Sequence, residues 1–147
     1  MATKAIKLEV TKSHPHAKLP SMATNVAAGL DLYTIEKRVK ISAGQVVKLN
    51  TGLKMAIPEG YFGKIYDRSG ISSKDTVIVK AGVIDPDYRG DVMVVMENTG
   101  SYPVELNVEN PIAQLVIHKR ETVVIQEVDS LDEGTERGEQ GFGSTDK

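Results

Sequence analysis

Two side chains with chemical potential, Asp85 and Tyr88, stand three residues apart in the run Ala81-Gly82-Val83-Ile84-Asp85-Pro86-Asp87-Tyr88-Arg89-Gly90-Asp91. A carboxylate at such a place can orient a water, and an aromatic ring can cover a flat ligand. Gly82 and Gly90 bracket the pair, and backbone free of side chains can offer its N–H and C=O groups as a complementary base would. The flanking runs, Val77–Val79 and Val92–Val95, are apolar or β-branched, so the stretch reads as a β-hairpin with its chemistry in the turn. Taken alone, an acid-Pro-acid turn is equally the composition of a solvated loop between strands.

Other segments supply what such a turn lacks. Asp31, in Ala28-Gly29-Leu30-Asp31-Leu32-Tyr33, is a lone carboxylate among apolar neighbours. It could hold the water shell of a magnesium ion, which takes few protein ligands, or be a turn acid at the start of a strand. Asp67-Arg68-Ser69-Gly70 follows a strand run and opens a helical turn near Ser69–Asp75, so backbone N–H groups, a hydroxyl and a guanidinium can meet a phosphate together. Gln114 is the one amide in the apolar strand run Pro111–Val116, where it either serves a ligand or caps a sheet edge. His14 and His16 have no nearby acids and receive no role.

The elements that must position these residues are short strands. Apolar alternation or β-branched runs occur at Ile6–Val10, Gln45–Leu49, Leu53–Ile57, Tyr61–Tyr66, Val77–Val79, Asp91–Glu97, Val104–Val108, Gln114–His118 and Val123–Glu127. Turn signals such as Asn50-Thr51-Gly52 and Asn98-Thr99-Gly100 punctuate them, which predicts an all-β barrel or jelly roll. With 147 residues the chain is sized for one domain. A net charge of −2 without a basic run argues against nucleic-acid binding, and no apolar run is long enough to span a bilayer. The absence of cysteine excludes disulfides and thiolate chemistry. The expectation is a soluble protein of a reducing, intracellular compartment, cytoplasm or nucleus.

The last twenty residues, Val128 to Lys147, are acid-rich and carry four of the thirteen glycines. Such a segment cannot bury enough surface to order itself and reads as a disordered tail. Yet Phe142, one of only two phenylalanines, lies there between glycines, with Arg137 before it and Ser144-Thr145 after. Those are the parts of a mobile arm that closes over a base and a phosphate.

Five segments in this order, Ala28–Leu32, Arg68–Gly70, Gly82–Gly90, Ile112–Leu115 and Arg137–Thr145, resemble the trimeric dUTP pyrophosphatase (dUTPase) family. The resemblance implies a single-domain β jelly roll over 1–127 with one short helix, and a glycine-rich arm over 128–147. It implies a homotrimer with shared active sites, magnesium dependence, and hydrolysis of dUTP to dUMP and pyrophosphate. That reaction limits uracil in DNA and supplies dUMP for thymidylate synthesis. By resemblance Asp85 positions the water that attacks the α-phosphorus, Tyr88 packs on the deoxyribose, and the backbone of Gly82, Val83 and Ile84 reads uracil. Arg68, Ser69, Gly70 and Gln114 hold phosphate from a second subunit, Asp31 contacts magnesium through water, and Arg137, Phe142, Gly143, Ser144 and Thr145 form the closing arm.

Physical argument agrees with these roles. Fixed backbone groups in a tight pocket can reject both the methyl of thymine and the hydrogen-bond pattern of cytosine. Hydrolysis of a phosphoanhydride needs an in-line water, a metal on the phosphate oxygens and cations on the developing charge. Asp85 is expected to contribute by positioning the water as much as by taking its proton. Three positions depart from the family's pattern: Asp67 in place of a common proline, Pro111 in place of a frequent arginine, and Asp146 in place of the usual glycine. A non-catalytic trimeric nucleotide-binding regulator and a dCTP deaminase-type enzyme are the alternatives on the same fold.

Overall fold

The computed structural model describes residues 4–72 and 76–143. Its strands run in the order β1 (Glu9–Lys12), β2 (Leu30–Leu32), β3 (Val39–Ile41), β4 (Val46–Asn50), β5 (Leu53–Ala56) and β6 (Tyr61–Tyr66). One helical turn, α1 (Ser69–Ser72), separates them from β7 (Val77–Lys80), β8 (Val83–Ile84), β9 (Met93–Asn98), β10 (Val104–Leu106) and β11 (Ala113–Lys119). This is the expected jelly-roll-like, nearly all-β fold.

Every pairing is antiparallel. A four-stranded sheet has the order β2-β11-β6-β8 and a three-stranded sheet the order β4-β9-β7; β1 pairs β5 and β3 pairs β10. Alternation drives the inner faces together. On β9, Val94, Met96 and Asn98 point inward, and on β11 Ala113 and Leu115 do. They meet Leu32, Ile41, Leu49, Ile65, Val77, Val92 and Ile112 in one continuous core. Each fully buried aliphatic side chain there contributes on the order of 1.5–3 kcal/mol relative to exposure. Among the described residues three polar side chains are buried with their bonds made, and of these the Thr34 hydroxyl donates to the Asn50 carbonyl at 3.1 Å. Asn98 donates to the carbonyls of Ile41 and Tyr102 at 3.0 and 2.7 Å, and the Thr51 hydroxyl donates to the Val92 carbonyl at 2.7 Å.

The expected hairpin is present, with one modification. β7 pairs β9 from Val77↔Asn98 to Lys80↔Val95, but inside their long connection β8 leaves for the other sheet and pairs β6 through Gly63↔Ile84 and Lys64↔Val83. Gly63, opposite Ile84 in this pairing, is packed closely by the core, because a Cβ there would lie 2.8 Å from Ile57 Cδ1 and 3.0 Å from Leu115 Cδ1.

Three expectations are corrected. The first strand is Glu9–Lys12 instead of Ile6–Val10, since it is residues 9–12 that find β5 as a partner. Val123–Glu127 is not a strand. β11 ends at Lys119, the Arg120 N–H still donates to Gly60 at 2.8 Å, and beyond it Val123, Val124 and Ile125 stand 75–93% exposed. β-branched residues stabilise a strand only against a neighbouring strand, and none borders these residues among the described ones. Gln114 does not cap a sheet edge, because β11 lies between β2 and β6. The helical turn is Ser69–Ser72, and the rest of the expected Ser69–Asp75 turn lies outside the described residues.

Candidate active site

The site begins with backbone geometry. After β7 the chain turns through Ala81 at φ 56° and Gly82 at φ 106°, a left-handed region costly for alanine and open to glycine. Two bonds hold this turn against β6. Lys64 Nζ donates to the Ala81 carbonyl at 2.6 Å, and the Ile65 N–H donates to the Gly82 carbonyl at 2.8 Å. A Cβ on Gly82 would lie 2.9 Å from the Ile65 carbonyl oxygen, so no other residue fits without displacing β6.

From Gly82 the chain forms β8, the outer strand of its sheet, and then a tight turn closed by the Tyr88 N–H on the Asp85 carbonyl at 3.1 Å. Pro86 follows Asp85 in this turn, the position at which its fixed φ is favourable. Arg89 clasps the turn from outside, Nη1 donating to the carbonyls of Pro86 at 2.6 Å and Tyr88 at 3.0 Å. Tyr88 then bends back over Gly90, where a Cβ would lie 2.4 Å from its hydroxyl, and donates to the Asp91 carbonyl at 2.9 Å.

The result is a hollow of about 220 Å³ lined by Gly82, Val83, Ile84, Asp85, Tyr88 and Asp91 over a floor of Ile65, Val92 and Val95. It suits one small planar group better than an extended molecule. As the outer strand, β8 has an edge of backbone N–H and C=O groups to offer there. Asp85 also lines a second, wider hollow with Asp87, Arg89 and Arg120. An exposed carboxylate thus stands where the small hollow meets open solvent, able to orient a water against whatever projects from it.

A second group of predicted residues gathers at the end of the four-stranded sheet. Register places Gln114 opposite Asp31 on one side and Tyr66 on the other. Its amide donates to the Asp67 carbonyl at 2.8 Å, and its Oε1 lies where a Cβ on Gly29 would come within 2.6 Å. Arg68 Nε stands 3.2 Å from Asp31 Oδ1, and Arg68 Nη1 reaches toward the Pro111 carbonyl at 3.5 Å. Ser69 and Gly70 are exposed on the helical turn beside them. The Asp67 carboxylate is engaged elsewhere, accepting the Val79 N–H at 2.6 Å.

The two groups are not brought together within one chain: the small hollow is lined by none of Asp31, Arg68, Ser69 and Gln114. Among the described residues, none of the arm lines the small hollow. Arg137 turns back on the Gln140 carbonyl at 2.8 Å, and Phe142 is fully exposed at φ 49° beside Gly143. Ser144 and Thr145 lie outside the described residues.

Sequence reading missed the residues that hold the site in place. Ser13 Oγ donates to Asp91 Oδ1 at 2.7 Å and Asn50 Nδ2 to Asp91 Oδ2 at 3.2 Å. These bonds hold the Asp91 carboxyl below its ordinary pKa, the Ser13 hydroxyl contributing most, then Asn50, with Lys54 adding to them against slight desolvation. Only Asn50-Thr51-Gly52 announced itself, and it did so as a turn. Among the described residues no cluster of three or more metal-ligating side chains occurs. Asp31 is a single hard oxygen donor, which cannot cage an ion but can share one that brings its own waters and phosphate oxygens, the manner in which magnesium is usually held.

A dUTPase family model matches residues 15–146. A deoxyuridine 5′-triphosphate nucleotidohydrolase of Solanum lycopersicum is 43% identical over 136 residues, covering 92% of this chain and 79% of the relative. One from Wolinella succinogenes is 38% identical over 146 residues, covering 98% and 97%. Among solved structures, a mutant of the Staphylococcus bacteriophage 80alpha dUTPase with dUpNHpp superposes with a TM-score of 0.88 at 26% identity, covering 96% of this chain and 99% of that one.

Proposed function

The chain belongs to the dUTPase family, and from that premise we propose how its own residues carry out the reaction. It is a dUTP diphosphatase, hydrolysing dUTP to dUMP and pyrophosphate. The observation that carries the assignment of roles is the small hollow, closed on one side by the outer edge of β8 and on another by Tyr88, with Asp85 at its mouth.

Uracil enters this hollow and pairs with the backbone of Gly82, Val83 and Ile84. Cytosine would present a donor where uracil presents an acceptor, and the methyl of thymine would meet the packed floor. The deoxyribose lies on the Tyr88 ring, which leaves no room for a 2′-hydroxyl. The α-phosphorus is then held near Asp85, which accepts a hydrogen bond from the attacking water and aligns its lone pair. The new oxygen–phosphorus bond forms as the bond from the α-phosphorus to the bridging oxygen breaks. Pyrophosphate departs with that electron pair, and the proton passes from the water to Asp85 and then to solvent. Arg68, Ser69, Gly70 and Gln114 bind the phosphate oxygens, with Asp31 beside them to hold the water shell of a magnesium ion. When bound, the ion supplies positive charge to the phosphate oxygens and favours a single geometry of the triphosphate.

The chain works as a homotrimer in which the phosphate-binding group of one subunit faces the nucleoside hollow of another. Two features support this: the two groups stand apart in one chain, and the extended segment after β11 exposes Val123, Val124 and Ile125 toward no surface of its own. Residues 128–147 act as the arm, Phe142 stacking on uracil and Arg137, Gly143, Ser144 and Thr145 on the terminal phosphates. The test pairs pyrophosphate release from dUTP, UTP, dTTP and dCTP with light scattering. A trimer whose turnover falls roughly a hundredfold in Asp85→Asn with nucleotide binding retained is expected. A fully active monomer, or near-normal turnover of the variant, would overturn these roles.

A further inference from the structure

The Tyr88 ring is held in place from beneath. Its hydroxyl donates to the backbone carbonyl of Asp91 at 2.9 Å, and the glycine between them has no Cβ to lift the ring. The height of the ring over the hollow therefore depends on where Asp91 is fixed.

Asp91 is tied to two distant parts of the chain. One carboxylate oxygen accepts from Ser13, just after β1, at 2.7 Å, and the other accepts from Asn50, at the end of β4, at 3.2 Å. Those two donors are themselves braced against each other through Gly52. The Ser13 N–H donates to the Gly52 carbonyl at 2.8 Å, and the Gly52 N–H donates to Asn50 Oδ1 at 2.7 Å. Gly52 sits at φ 68°, and a Cβ on it would come within 2.8 Å of Ile35 and 2.9 Å of Ala17. The next residue, Val92, is fixed by backbone bonds to Thr51 and Leu53. The Asp91 carbonyl lies in the same planar peptide as the Val92 N–H, which donates to the Leu53 carbonyl at 2.8 Å, and the carboxylate bonds to Ser13 and Asn50 anchor the residue on its other side.

We propose that Asp91, clamped by Ser13 and Asn50, is a positioning residue that sets the preference for 2′-deoxyribose over ribose by fixing the height of the Tyr88 ring. This rests on the reading that Tyr88 packs on the sugar. Rejection of one hydroxyl by contact is a matter of fractions of an ångström, and a ring freed to tilt would admit it. Ser13 and Asn50 touch no part of the hollow, so the preference is set partly from outside it.

The experiment measures kcat/KM for dUTP and for UTP in the full chain and in Asp91→Ala, Asp91→Asn, Ser13→Ala and Tyr88→Ala, with melting temperatures alongside. The dUTP/UTP ratio is expected to fall about tenfold or more in Asp91→Ala. It should fall less in Ser13→Ala, where Asn50 still holds, and to an intermediate degree in Asp91→Asn, whose amide oxygen can still accept from Ser13. A merely structural role would lower both substrates together and leave the ratio unchanged. A preserved ratio in Asp91→Ala and Ser13→Ala, with a lost one in Tyr88→Ala, overturns the clamp alone. A preserved ratio in Tyr88→Ala removes the sugar-packing reading, and the clamp with it. Should Asp91→Ala not fold, Ser13→Ala decides.

Discussion

Arg68 and Asp31 face each other across the end of the four-stranded sheet, Nε to Oδ1 at 3.2 Å, so the guanidinium assigned to phosphate and the carboxylate assigned to the metal ion share one contact. A bound triphosphate with its ion would draw on both charges at once, and each keeps the other oriented beforehand.

The pair predicts separate phenotypes for its two members. Arg68→Lys keeps the charge and loses the planar fork, so KM for dUTP is expected to rise roughly tenfold or more. Asp31→Asn should instead raise the magnesium concentration needed for half-maximal rate. Titrating magnesium in a pyrophosphate-release assay distinguishes them, and identical curves for the two variants would show that they act only on each other.

Arg89 binds no part of the small hollow, yet its two bonds to the Pro86 and Tyr88 carbonyls hold the turn that carries Asp85. Arg89→Met is expected to lower kcat by about tenfold with a smaller change in KM, since a misplaced water costs rate more than binding. Arg89→Lys, which can still donate to one carbonyl, should recover part of it. Full recovery in Arg89→Lys would mean that the charge, and not the two-carbonyl clasp, is what matters, and an unchanged kcat in Arg89→Met would remove any role for the residue.

Because the Phe142 side chain is fully exposed, it can be altered without touching the core. Phe142→Ala should cost about 1–3 kcal/mol of nucleotide stacking. Truncation after Ser130 should cost more, by removing Arg137 as well and leaving the reaction open to bulk water. Both should melt at the parent temperature. Unchanged activity after truncation would make the segment a solvated tail.

The Ser13 and Asn50 hydrogen bonds hold the Asp91 carboxyl below its ordinary pKa. Its folded pKa lies below the unfolded value, so its contribution to stability is complete above the unfolded pKa and is lost as pH falls through the folded one. Acid unfolding followed by circular dichroism should therefore be less steep in Asp91→Asn below the ordinary carboxylate range, and the two proteins should differ most at neutral pH. A constant difference at all pH values would place the effect in packing.

Much of this was legible in the chain. Most strand runs, the hairpin and its turn chemistry were visible because periodicity and Gly/Pro placement act over a few residues, whereas the three-residue strands β2 and β3 are too short to show a period. Val123–Glu127 misled for the same reason: its composition is that of a strand, but strand formation is decided by a neighbour that local sequence does not contain. The departure of β8 to the second sheet was invisible too, since it depends on pairing with β6, a partner that local sequence does not contain. Asp85, Tyr88, Arg68 and Gln114 could be picked out as residue types in place, whereas Ser13 and Asn50 are ordinary polar residues whose part depends on a partner many residues away.

By crossing between sheets in the middle of its hairpin, β8 ties the turn that carries Asp85 to both halves of the barrel. Loops that carry chemistry commonly belong to the least protected parts of a protein and open locally many times before the whole unfolds. Here the turn cannot open without breaking either the pairing with β6 or the frame of β7 and β9. The amides of Ile65 and Ile84 should accordingly exchange with solvent deuterium only on the timescale of global unfolding, while those of residues 128–143 exchange at once. Such a site has its rigidity built into the core and its adaptability confined to the arm, so that mutations which merely soften the barrel would be felt as lost turnover before they were felt as lost fold.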